Sequence, residues 1–596
     1  MSSATPQRPR PRPGPRHRPP HRPRPGRRPG PRLPLSGVLR LGRPSDIWFK
    51  PALSVIAAVA PPNLILLALG RLDLAMYTMA GSLCALYAHN RPYAARARVL
   101  AWVVLGMTGG LAVSLLAASL TASPVVLVTV GALLAAAQKA LCDATRLGPP
   151  ANVVLTFISS ASLFVPQTLD QVPGHLGLAL ATGGWAWLIG MAPALARPHG
   201  PERRATAHAL NAAAAHVDAH AAGAGEGARA GEGAGEGEGE GEREGVGEGR
   251  ARAAAAAAVH AAWQTLLSAR AGETRRGLER LVVRAEIALA APADTDPARL
   301  RDWARDLLAA APVPRPDDLV DDDELIGVDA ELAVGRTPLR HRLGPLAPIA
   351  ARTALGCALA GYASLALGVG RPYWALVTAA SLYQANVTLT WSRAVQRVVG
   401  NLVGVLAFAA LVPLAHLAQA ALVLVCLALN FGAEALISRN YWLGSVCVTP
   451  MALLITEFAQ VQDPGRLITE RLVDTLVGAV VGFAAAIAVT NRRAGDRLEN
   501  ALTAVERARE HAARLLAEPH PATGAVDAAR RALATALVDL RATADAAAGE
   551  WWQRALPQER VVTAEQSGHR TLAATVRRQG LLLDRDAGTR AEDVRR

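Results

Sequence analysis

Twelve stretches of the chain are nearly unbroken runs of apolar residues, and they fall into two groups of six separated by a long polar interval. A run of about 20 apolar residues is what an α-helix needs to cross a bilayer. The first group covers roughly 52–70, 74–89, 99–118, 123–141, 151–169 and 175–195. The second covers roughly 346–369, 373–389, 398–415, 418–437, 441–458 and 472–490. Two runs, 74–89 and 373–389, are short for spans. Pro61-Pro62-Asn63 lies in the middle of the first run, where lost backbone donors predict a break or kink. The pattern predicts an all-α, polytopic membrane protein. Two six-helix transmembrane blocks, 46–196 and 346–490, are each followed by a helical polar region.

The polar intervals have their own periodicity. In 197–345, the run from Trp263 to Ala290 places Leu266, Leu267, Leu278, Leu281, Val282 and Ile287 at helical spacing. Residues 223–249 alternate Gly and Glu, with too little to bury, and read as a flexible acidic linker. An acidic patch, Asp317-Asp318 and Asp321-Asp322-Asp323-Glu324, precedes the second block. The region 491–596 reads as Ala/Arg/Leu-rich helices, Leu498–Ala517 and Val526–Ala548, forming a hairpin or bundle in water. Residues 1–45 are a Pro/Arg tail, expected to stay extended or disordered and not built as a signal peptide.

Composition supports the membrane assignment. Of 596 residues, 51% are hydrophobic and 19% charged, and mean hydropathy is +0.20. A soluble domain carries about 25% charge. The net charge of +14 is concentrated in the tail and is almost all arginine. That tail lacks interleaved aromatics, so anionic lipid, not nucleic acid, is its expected partner. Cys84, Cys142, Cys357, Cys426 and Cys447 stand singly, which argues against a metal site or a disulfide framework. With the tail inside, the inner short loops hold Arg91, Arg96, Arg98, Lys139, Arg146, Arg393, Arg397 and Arg439. The outer loops hold Arg71, Arg371, Arg466 and Arg471. This asymmetry predicts a cell (inner) membrane protein with both termini cytoplasmic.

The blocks look like a repeat. A shift of 299 residues lays Ser82-Leu83 on Ser381-Leu382 and Arg98 on Arg397. Such repeats commonly frame a pathway at their interface.

Candidate chemistry concentrates in the second block. Tyr373-Trp374 with Thr378 reads either as an interfacial aromatic anchor or as the lining of a path for aromatic solutes. Arg393 and Arg397 share a helix face, where two guanidinium groups match a carboxylate, although the positive-inside rule alone places arginines there. Gly400 and Gly404 have the spacing of close helix packing. Glu434, Glu457 and Asp474 are ionisable groups within or beside spans and are candidates for carrying a coupled proton. No phosphate loop, HExxH or GxSxG occurs, so neither a Walker ATPase nor a familiar hydrolase is indicated, and no cofactor or metal is expected.

The second block resembles the fusaric acid resistance protein-like family of membrane transporters, the aromatic acid exporter group. The residues that carry the likeness are Tyr373-Trp374-Ala375-x-x-Thr378 and Arg393-x-x-Gln396-Arg397-x-x-Gly400-x-x-x-Gly404. They continue with Asn440-Tyr441, Thr449-Pro450 and Arg471-x-x-Asp474-x-x-x-Gly478. Asn401 stands where the family usually has Thr. The resemblance implies proton-driven export of aromatic carboxylic acids or similar amphiphilic anions, without enzymatic activity. On that reading Tyr373, Trp374, Thr378, Arg393, Arg397, Asn440 and Tyr441 bind substrate. The alternatives are an uncoupled anion channel and an envelope scaffold without transport. A homo-oligomer is a further expectation.

Overall fold

The computed structural model describes residues 35, 37–42, 48–230, 238–315, 343–458, 462–489, 494–548, 550 and 557–593. Most of the Pro/Arg tail and the acidic patch at 317–324 lie outside the described residues. Every regular element among the described residues is helical.

The first block comprises α1 (Phe49–Ala68), α2 (Ala75–Ser82, flanked by 3-10 turns), α3 (Tyr93–Leu120), α4 (Pro124–Ala144), α5 (Asn152–Ser162) and α6 (Val172–Met191), extended by the single turn α7 (Pro193–Ala196). The first polar region follows as α8 (Gly200–Ala230), α9 (Glu238–Ser268), α10 (Glu273–Ala290) and α11 (Pro297–Leu308). The second block comprises α12 (Ala347–Ala366), α13 (Tyr373–Leu382), α14 (Val387–Ala415), α15 (Gln419–Ile437), α16 (Tyr441–Thr456) and α17 (Pro464–Ala488). Helices α18 (Ala494–Ala517), α19 (Thr523–Ala548) and α20 (Gln558–Asp593) complete the chain.

Eight of these helices are long and apolar enough to cross a membrane. The chain is a multi-pass membrane protein. The expected six full spans per block resolve into four long helices and two short ones, in the order long, short, long, long, short, long in both blocks. The short helices are interior elements: every residue of α13 is buried, and so is every residue of α2 except Met76. Broken helices are tolerated at membrane depth where protein, not lipid, surrounds them. Helix α13 ends when Tyr383 turns extended, and Asn386 then caps α14 by accepting from the Leu389 N–H at 2.8 Å.

The blocks also share a packing scheme. Helix α2 packs on α6 as α13 packs on α17, and α3 meets α5 and α6 as α14 meets α16 and α17. Between blocks the arrangement is reciprocal, with α1 on α15 and α12 on α4. Burial in α3 at Arg96, Leu100, Val103, Val104, Met107 and Leu111 has the spacing of Arg397, Asn401, Gly404, Val405, Phe408 and Val412 in α14. That register pairs Arg397 with buried Arg96 and leaves Arg98 exposed, two residues from the alignment expected from sequence.

Several other expectations change. Helix α1 continues through Pro61-Pro62 instead of breaking. Pro61 lacks the N–H that would bond the Ala57 carbonyl one turn earlier, and Trp185 of α6 donates its indole N–H to that carbonyl instead, at 3.0 Å. Residues 223–230 and 238–249 are helical, continuing α8 and α9 into the segment expected to be a flexible linker. Extending a helix from an established Ala-rich segment is cheaper than nucleating one, and α8 and α9 pack along each other. Arg96, Arg397 and Arg471 lie buried within helices, so they are not loop charges.

Helices α8–α11 enclose a core around Leu210, Leu266, Leu278 and Leu281, and α18–α20 enclose another around Leu498, Leu533 and Leu540. The two meet at buried Glu286. Its carboxylate accepts from Trp263 Nε1 at 2.7 Å and pairs with Arg530 at 3.0 Å. Nearby, His216 is fully buried, and burial pulls its imidazole down to about 4. Burial acts likewise on His569 of α20, also down to about 4.

Candidate functional site

A string of polar side chains runs through the second block, on α14, α16, α17, α12 and the start of α13. At the end where α14 and α16 begin, Arg393 lies over the Tyr441 ring, 3.9 Å from its centroid. One turn further along α14, Arg397 donates to the Tyr441 hydroxyl at 3.1 Å. Tyr441 starts α16 because Asn440 caps the helix, its side-chain oxygen accepting from the Trp442 N–H. Glycine lets the helices approach here: a Cβ on Gly400 would lie 2.5 Å from the Ser445 Cβ. Pro450, inside α16, leaves the Val446 carbonyl without its helical donor, and the bare face of Gly404 sits against that oxygen.

Deeper in, Asn401 accepts from both Thr449 and Arg471, the latter at 3.1 Å. Arg471 is 1% exposed and stacks on Trp374, 4.0 Å from the ring centroid. Its Nε and Nη1 have no hydrogen-bond partner among the described residues. The same holds for the Thr378 hydroxyl, the Asn401 amide nitrogen and Asp474 Oδ2. The other Asp474 oxygen accepts from Ser364 of α12 at 2.6 Å. At the far end, Arg371 contacts Glu470, Gln462 and Thr456. A buried guanidinium with open donor directions, between hydroxyl and amide groups, is an anion-binding arrangement.

The structure therefore brings Trp374, Arg393, Arg397, Tyr441 and Asp474 onto one string with Arg471, Asn401, Thr449 and Ser364. Tyr373 and Trp374 are buried, their rings 4.7 Å apart and packed against Phe164, just beyond α5, and Phe157 of α5, so neither stands at a lipid-facing edge. Asn440 is occupied as a cap and in binding the segment ahead of α1. Glu457 lies at the other end of α16, bonded to His416 at 2.9 Å. Glu434 sits on α15, the helix that packs on α1, within electrostatic range of Tyr87. Neither acid joins Asp474. Sequence reasoning missed Arg471, counting it as an outer-loop charge. The signal was there: an arginine one helical turn before an aspartate, in a stretch otherwise fit to span.

Residues 358–485 match the family model described as "Fusaric acid resistance protein-like". The match covers α13–α16 whole, the second half of α12 from residue 358 and most of α17; it includes every residue of the string and none of the first block. A curated relative, "Uncharacterized membrane protein YvaC" of Bacillus subtilis (strain 168), is 33% identical over 141 residues, which is 23% of this chain and 22% of the relative. The chain thus spans about a fifth of the length of the curated relative it matches. No solved structure matches the chain.

Proposed function

We propose that this membrane protein, with a fusaric acid resistance-like second block, is a secondary transporter that exports aromatic carboxylates or similar amphiphilic anions, driven by the proton gradient. The observation that carries the proposal is Arg471. A buried arginine in a spanning helix is costly and marks a pathway by default. This one is held flat by Trp374 and keeps two donor nitrogens unpartnered.

In this reading, Arg393 and Arg397 gather the anion, and Tyr441 positions both guanidinium groups. The carboxylate then moves to Arg471, where Thr378 and the Asn401 amide supply further polar contacts. Trp374 is a positioning residue for Arg471. Asp474, one helical turn from Arg471 and with one oxygen free, is the proposed proton carrier. Its protonation would alternate with anion binding: the proton enters on Asp474 in the half-cycle in which Arg471 holds no solute, so that solute leaves as a proton comes in.

Uptake of a hydroxybenzoate into energised inside-out vesicles, with and without an uncoupler, tests this. Accumulation should collapse with the uncoupler and be lost in Asp474→Asn. Uncoupler-insensitive equilibration that survives Asp474→Asn would make the protein an anion channel. No flux across a panel of weak acids would overturn transport of this solute class.

A further inference from the structure

Residues 37–42, ahead of α1 in sequence, are bonded to the arginine end of the second block. The Val38 carbonyl accepts from Gln396 Nε2 at 2.9 Å and from Asn440 Nδ2 at 3.1 Å. The Leu39 carbonyl accepts from the Trp442 indole N–H at 3.2 Å, and the Arg40 carbonyl from Asn440 at 3.0 Å. The Gly42 N–H donates to the Arg439 carbonyl at 2.9 Å. These anchors are the chain neighbours of the residues at the mouth: Gln396 precedes Arg397, while Arg439, Asn440 and Trp442 surround Tyr441.

We propose that residues 37–42 form a strap that closes this mouth, so that a solute reaches Arg393, Arg397 and Tyr441 only when the strap lifts. The inference rests on the transport reading of the second block. The attachment suits reversible opening. Four of the five bonds are side-chain donors reaching strap carbonyls, and only Val38 is buried, while Leu39 and Leu41 stay exposed. Segments with few buried apolar contacts open locally at low cost. The strap has one steric requirement. A Cβ on Gly42 would stand 3.0 Å from the Arg439 carbonyl oxygen, so a branched side chain there dislodges the strap without touching the polar string.

The test uses the full chain with its five native cysteines replaced and one cysteine introduced by Ser381→Cys. Ser381 is buried behind the mouth and within hydrogen-bonding reach of Tyr441. In detergent, the rate of labelling by a water-soluble maleimide reports access to the mouth. Gly42→Val and Trp442→Phe should each raise that rate roughly fivefold, the shift expected for losing one hydrogen bond. The initial rate of hydroxybenzoate uptake should rise severalfold in the same substitutions made in the native-cysteine chain. Amide exchange at 38–42 shows whether the strap has been freed. A freed strap with unchanged labelling overturns the proposal, and so does a freed strap with unchanged or slower uptake by a transporting protein. If no acid moves through either form, the transport reading fails, and labelling alone decides whether the strap covers the mouth.

Discussion

The two membrane blocks have one skeleton and two linings. Both run long, short, long, long, short, long, and their helices pair in the same way. In the second block the interior contact between short and last helix is Arg471 on Trp374; in the first it is His175 stacked on Tyr77, with ring centroids 3.8 Å apart. Where α14 presents Asn401 to Arg471, α3 presents Leu100. The buried polar groups between α4 and α5 are uncharged and mutually bonded, Gln138 joining Ser159 at 2.9 Å and Thr156 at 3.0 Å. A closed neutral network holds helices together, whereas open guanidinium donors await a partner. The two blocks share a frame, and the second lines it with the larger set of open polar groups; the first keeps one buried guanidinium nitrogen without a partner, Arg96 Nε, beside His89.

The strongest way to break this comparison is to replace, in each block, the residue that the last helix lays on the short helix's aromatic ring. Arg471→Gln should lower hydroxybenzoate flux roughly a hundredfold, the scale of a lost charge-assisted contact, with protein levels in the membrane unchanged. His175→Gln should leave flux within about twofold. Comparable losses in both would mean that both copies carry the path.

A smaller effect is expected at the mouth. Arg393→Gln with Arg397→Gln should raise the half-saturating concentration roughly tenfold, while Arg96→Gln leaves it unchanged. Concentration dependence of vesicle uptake separates these.

The shared skeleton predicts equal responses to crowding. A Cβ at Gly478 would lie 2.5 Å from the Ala375 carbonyl oxygen, and one at Gly81 would lie 2.2 Å from that of Ala179. Gly478→Val and Gly81→Val should each destabilise by about 1–3 kcal/mol, read as matched drops in melting temperature in detergent. A drop in one alone would show that the packing is not equivalent.

The smallest effect lies outside both blocks. His216 and His569 are held neutral by burial, with folded values near 4 against about 6.5 unfolded. The unfolded chain therefore binds more protons between those values, and stability is lost as pH falls from about 6.5 towards 4. Melting temperature should fall between pH 7 and pH 5, and His216→Gln with His569→Gln should flatten that dependence. An unchanged slope would place the acid sensitivity elsewhere.

The all-helical, multi-pass membrane plan was legible because bilayer length and apolar runs are local properties of sequence. Arg393, Arg397, Tyr441 and Asp474 stood out by spacing as well as chemistry, and the fold sets them along one polar string. The short interior helices were not fully legible, since a broken helix and a spanning one have similar composition and differ in what surrounds them. Glu457 and Glu434 shared with Asp474 the signal of an acid in or near a span, but partners decide its use: Glu457 faces His416, and Glu434 faces the other block. Arg471 was missed because a charge near a span's end reads as loop until the neighbouring helices are in place.

The reciprocal packing of α1 on α15 and α12 on α4 has a consequence for biosynthesis. The partner of α12 has already been made when α12 emerges, but that of α1 begins some 370 residues after α1 does. At about 5–20 residues per second, α1 waits roughly 20–70 s for the surface that will cover it. During that interval its prolines and the buried Asn63 have only first-block neighbours, which makes the Trp185 bond to Ala57 an early fastener of the nascent chain.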